Sequence, residues 1–147
     1  MKKGKIMTTI AIVILVGLGY FKGMGIYSSS KKVDLGVKES KLFLCGDKPN
    51  CVSTTNTDEK HMIKTIETNK DLEEIIGKLK AEKLELINTE GNYAHFIHTS
   101  GIMGYVDDIE VMLDDNILSI RSASRVGYSD MGANRKRVEK IRLILKE

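Results

Sequence analysis

All five arginines of this 147-residue chain lie between positions 121 and 142, while every other basic side chain is lysine. Arginine supplies a planar five-donor fork suited to a fixed carboxylate, phosphate or carbonyl partner, where lysine supplies a mobile point charge. The run from Arg121 to Glu139 is therefore the candidate site. It gathers Arg121, Ser122, Ser124, Arg125, Tyr128, Ser129, Asp130, Asn134, Arg135 and Arg137, with the acidic pair Asp107 and Asp108 just upstream. Gly127-Tyr128-Ser129-Asp130 leads into a predicted helix whose first N–H groups favour negative charge, and Asn134, Arg135 and Arg137 fall in its first turns. That chemistry suits a small anionic ligand. Each residue also has an architectural reading: Asp130 caps the helix, Arg121 and Arg125 bridge Asp107, Asp108 and Glu110, and Arg135 and Arg137 lie on a solvated face.

Hydrolysis is the alternative chemistry, with Ser122, Ser124 or Ser129 as nucleophile, His61 or His95 as base and Asp107 as orienter. The chain has no G-x-S-x-G elbow to support it. A metal centre on His61, His95, His98, Asp107 and Asp108 is disfavoured, because residues three apart on a strand, such as His95 and His98, point to opposite faces. No metal and no cofactor is expected.

The elements that must position these residues are legible from periodicity. Asp71 to Lys83 places Leu72, Ile75, Ile76 and Leu79 on one helical face, with Thr68 and Asp71 at capping-box spacing. Four strands follow, Leu84 to Thr89, Tyr93 to Thr99, Met103 to Leu113 and Ile117 to Arg125, joined by links short enough for an antiparallel meander. A closing helix from about Met131 to Lys146, capped by Ser129 or Asp130, turns Val138, Ile141, Ile144 and Leu145 inward. The predicted fold class is α+β: a four-stranded antiparallel meander packed against two helices. Ser53 to Lys60 has no apolar residue to bury and reads as a polar loop.

A two-residue turn at Asp115-Asn116 sets the register of the last hairpin. Leu113 then faces Leu118 and Val111 faces Ile120 on the core side. Glu110 faces Arg121 on the other side, where Asp108 falls diagonally between Arg121 and Arg125. Asp107, Ser122 and Ser124 turn inward near the sheet's end, where a carboxylate must be paired or hydrogen-bonded.

Ahead of this domain, Met1-Lys2-Lys3-Gly4-Lys5 precedes an uncharged run from Ile6 to Phe21, which spans a hydrocarbon layer of about 30 Å once extended to Tyr27. The division expected is residues 1–30 as anchor or signal segment, 31–41 as polar tether and 42–147 as the domain. Small-residue cleavage sites are poor, favouring an uncleaved single-pass anchor over a cleaved signal that would release a secreted or periplasmic domain. Cys45 and Cys51, the chain's two cysteines, flank the turn Gly46-Asp47-Lys48-Pro49-Asn50, and a short loop of this kind can bring them within bridging range. A disulfide there places the domain outside the cytoplasm, with the N-terminus inside; C-x5-C lacks ordinary zinc spacing. Beyond residue 30 the basic and acidic counts nearly balance, so nucleic acid is not an expected partner.

Asn50-Cys51-Val52-Ser53 after Pro49, the pair Asp107-Asp108 and the run Arg121 to Glu139 together resemble the domain of unknown function family 1499. The chain departs from the family pattern at Gly46 and Lys64, where proline is common, and at Thr54, where serine is usual. The resemblance implies a small, often membrane-associated or exported α+β domain and carries no activity with it. Taken with the anchor, the expected function is a ligand-binding or assembly module that meets the membrane through its N-terminal helix and an envelope protein or small anion through its domain. An enzyme is the less favoured class.

Overall fold

The computed structural model describes residues 2–146, so Met1 and Glu147, at the ends of the ranges expected above, lie outside the described residues. The chain begins with helix α1 (Lys2–Ser30), which is long and apolar enough to cross a membrane, a character that anchors and signal sequences share. Two short strands, β1 (Val37–Lys38) and β2 (Lys41–Leu42), pair as a small hairpin. There follow β3 (Cys51–Ser53), β4 (Ile66–Glu67), α2 (Leu72–Ala81), β5 (Glu85–Glu90), β6 (Tyr93–Thr99), β7 (Val106–Asp114), β8 (Ile117–Ser124) and α3 (Ala133–Lys146).

The class is α+β and the meander β5 to β8 is present, but the sheet has six strands, not four. Its order is β3-β8-β7-β6-β5, and β4 pairs with a different stretch of β8. The two added strands are three and two residues long, too short for alternation to register in a sequence. They are held by their partners: Cys51, Val52 and Ser53 pair with Ala123, Ser122 and Arg121, and Thr54 accepts the Ile120 N–H on its hydroxyl. Part of the stretch expected as a polar loop thus lies along the sheet, with Ser53 wholly buried.

On one face, Ala94, Phe96, Ile109, Val111, Leu118 and Ile120 meet Ile75 and Leu79 of α2 and Val138, Ile141 and Leu145 of α3. Alternation puts these residues inward, and burial of their apolar surface at roughly 25 cal/mol per Å² drives the two layers together. The capping box of α2 begins at Asp71, not Thr68: the Asp71 carboxylate accepts the Glu74 N–H, and the Glu74 carboxylate accepts that of Asp71. Thr68 instead takes the Lys70 N–H on its hydroxyl.

The opposite face of the sheet is covered by the chain's own beginning. The segment after α1 reaches this face at two points: the Gly36 N–H donates to Glu110 at 2.6 Å, and Leu42 closes over Tyr93 and Met112. Gly36 has φ +109°, a conformation that suits glycine and lets its amide reach the carboxylate. The end of α1 is docked as well. Ser28 is fully buried, its hydroxyl accepting the Val106 N–H at 3.0 Å, and Gly25 meets the β6–β7 loop so closely that a Cβ there would lie 1.9 Å from the Met103 carbonyl oxygen. Cys45 and Cys51 stand at disulfide distance, with Cα atoms 5.7 Å apart.

Candidate functional site

The hairpin of β7 and β8 adopts the register that its turn implies: Leu113 faces Leu118, Val111 faces Ile120 and Glu110 faces Arg121. Strand alternation then divides the polar residues between two faces. The covered outer face holds Asp108, Glu110, Arg121, Arg125, Tyr93 and His95; the helix-facing side holds Asp107, Ser122, Ser124 and His98.

On the outer face two buried carboxylates anchor two separate clusters. Glu110 is wholly buried and accepts three donors: the Tyr93 hydroxyl (2.9 Å), the Gly36 N–H (2.6 Å) and Arg121 Nη1 (2.6 Å). Burial, followed by the charge of Glu110, pushes the Tyr93 phenol well above its usual range, so it remains a donor. Asp108 does not lie between two arginines as its diagonal position suggests. Its partner is Arg125, which grips it through Nε and Nη2, both at 2.8 Å, while His95 Nε2 lies 2.9 Å from the same carboxylate. Arg125 Nη1 also donates to the Ser29 carbonyl at the end of α1, where orphan carbonyls favour a cation.

On the inner side Asn134, wholly buried, is the hub. Its carbonyl oxygen accepts from Ser122 (2.6 Å) and Arg137 (2.7 Å), and its amide donates to Asp130 (2.6 Å), Ser124 (2.9 Å) and the Asn50 carbonyl (3.1 Å). Asp130 also accepts the backbone N–H groups of Gly132 and Asn134, so it satisfies a first-turn amide of α3 from the preceding turn, the helix starting at Ala133 and not at Met131 as expected. Arg137 donates to Asp107 at 2.6 Å and to His98 Nδ1 at 3.3 Å, so it is drawn into the layer between helix and sheet instead of a solvated face. Burial first, then Arg137, holds the His98 pKa below its usual value. Tyr128 and Ser129 stay exposed on the preceding loop, and Arg135 spans the surface to the carbonyls of Met62 and Lys60.

The hydrolytic arrangement is not assembled. Asp107 is paired with Arg137, and among the described residues no serine hydroxyl is hydrogen-bonded to a histidine ring. His61 is tied through Nδ1 to Asp58 and through Nε2 to the Lys48 carbonyl. Nor do three His, Cys, Asp or Glu side chains gather to hold a metal ion among the described residues. Asn50, Tyr93, His95 and Gly36 belong to the polar framework although they lie outside the arginine run. A weak signal existed for two of them, since alternation along β6 places Tyr93 and His95 on the Glu110 face.

A family model for proteins of unknown function, DUF1499, matches residues 41–145. The chain belongs to that family. No curated protein and no solved structure matches it. The DUF1499 match takes in β2 through α3 almost to its end, hence both polar clusters and the disulfide-distance pair, and leaves out α1 and most of the segment that covers the outer face.

One pH effect follows from the Asp108 cluster. Burial pushes its carboxyl upward, but the hydrogen bonds and charges of Arg125 and His95 outweigh that and hold it below the usual carboxylate value. A group depressed in the folded state contributes stability that is present above its unfolded pKa, about 3.9, and lost as pH falls through the folded value. Urea midpoints are expected to drop below about pH 4, with a shallower drop in Asp108→Asn. Identical acid slopes in the two proteins would remove this assignment.

Proposed function

We propose that this DUF1499 protein is a membrane-anchored interaction or assembly module whose domain is presented outside the cytoplasm to another envelope protein. The observation carrying the reading is that each arginine of the signature has an internal partner, although the buried Arg121 Nε is left without one. Arg121, Arg125 and Arg137 each end on a carboxylate of the same domain, and Arg135 and Arg142 end on backbone carbonyls. A site built for a free anion holds some of that donor capacity in reserve. Two further features support the reading. The domain is hydrogen-bonded to the end of α1 through Ser28 and Ser29, and to Lys31 just after it, which sets its attitude to whatever holds the helix. Strand β5 is a sheet edge, and Ile87 stands half exposed at a bulge in it, an apolar side chain open to a partner's surface.

A ligand-binding reading has its own support at a different place. A cleft of about 450 Å³ opens on the outer face between Leu35, Gly36 and Val37 and the side chains of Asn88, Glu90, Asn92, Tyr93 and His95. A photo-crosslinker carried at position 87 of the full chain in its native membrane distinguishes the two. Adducts to one discrete envelope protein, absent when the crosslinker is moved to Leu143 on α3, are the expected result. Absence of a protein adduct, together with a stoichiometric small molecule in native mass spectra, would replace assembly with ligand binding.

A further inference from the structure

The contacts between α1 and the domain descend along the helix in order. Arg125 reaches Ser29, Val106 is bonded to Ser28, and the backbone at Met103 and Gly104 lies against Gly25. Lys22, one turn further toward the N-terminus, lines the same groove as Ile26, Ile97 and Met103. The β6–β7 loop therefore points back along the helix toward its apolar run. From Lys5 to Gly25 the helix rises about 30 Å, the thickness of a bilayer's hydrocarbon layer. A loop packed backbone to backbone against Gly25 is thus level with the membrane–water interface.

The loop's composition suits that level. Ser100-Gly101-Ile102-Met103-Gly104 has no charged residue, and Ile102 projects with 75% of its surface exposed. The loop is also internally braced, since the Ser100 hydroxyl accepts the Tyr105 N–H and the Ser100 carbonyl accepts the Gly104 N–H. We propose that this loop is a second membrane contact: Ile102 enters the lipid interface beside α1, and the Lys22 ammonium lies where lipid phosphates gather. The proposal rests on α1 being retained as an anchor, and it adds that the domain is seated on the bilayer instead of held away from it.

The chain contains no tryptophan, so one introduced residue reports its own surroundings. The full chain is reconstituted in phosphatidylcholine vesicles with and without acyl-brominated lipid, carrying Val13→Trp at mid-helix, Ile102→Trp at the loop, or Ile117→Trp. Position 117 lies at the far end of β8, about 23 Å from Ser124 at the strand rise of a sheet. Bromine is expected to quench positions 13 and 102 but not 117, and emission from 102 is expected to lie to the blue of emission from 117. Quenching at 13 alone would overturn the seated loop and leave the anchor standing. Quenching at none of the three would remove both.

Discussion

Glu110→Gln is expected to destabilise the domain by about 3–5 kcal/mol, the range for breaking a buried ion pair from one side. The replacement is isosteric, and its amide oxygen can still accept from Tyr93 and Gly36, so the lost quantity is the charge opposite Arg121. That guanidinium is poorly placed to survive alone. Its side chain is 12% exposed, and its Nε already has no hydrogen-bond partner. Water cannot easily take over from the carboxylate, because position 110 is fully buried. Adding Arg121→Met to Glu110→Gln removes the stranded cation and is expected to recover at least half of the loss. Chemical denaturation of the wild type, the single variant and the double variant tests this. A single variant within about 1 kcal/mol of wild type, the scale of an exposed pair, would show that the pair is effectively solvated.

Asn134→Ala comes next, at about 3 kcal/mol or more, since several buried donors and acceptors lose their partner together. Ser122, Ser124, Asp130, Arg137 and the Asn50 carbonyl all meet at this one amide. Loss of the hub loosens the start of α3, the end of β8 and the turn before β3 at once. Arg135→Ala, one residue along, removes bonds to exposed carbonyls and is expected to cost less than about 1 kcal/mol. Thermal melts that rank the two in the opposite order would contradict the hub assignment.

These two residues show what a sequence can and cannot carry. The opposition of Glu110 and Arg121 was legible because a two-residue turn and strict alternation are local rules, and the register of β7 on β8 follows from them. The choice of Arg125 over Arg121 as partner of Asp108 was not legible. It depends on side-chain reach and strand twist, and on the Ser29 carbonyl that holds the far end of the guanidinium. Asn134 was placed correctly in the first turn of α3, but its burial depends on Asn50, more than 80 residues earlier in the chain. The covering role of residues 31–44 left no periodic trace, because a segment that closes a polar face with one amide and one leucine need not alternate. The pairs β3 and β4 escaped for a related reason: β8 supplies the pattern and the short strands merely complete it.

The docking of Ser28 on Val106 joins residues 78 positions apart, and Lys31 on Arg125 joins residues 94 apart. Synthesis makes the covering segment first, yet it has nothing to cover until β7 and β8 exist. Closure of the outer face is therefore expected late in folding, since long-range closures are slow because loop entropy is lost before the contact forms. Until then Asp108 and Glu110 remain hydrated, and the newborn chain can hold its carboxylates in water while the apolar layer on the other side consolidates.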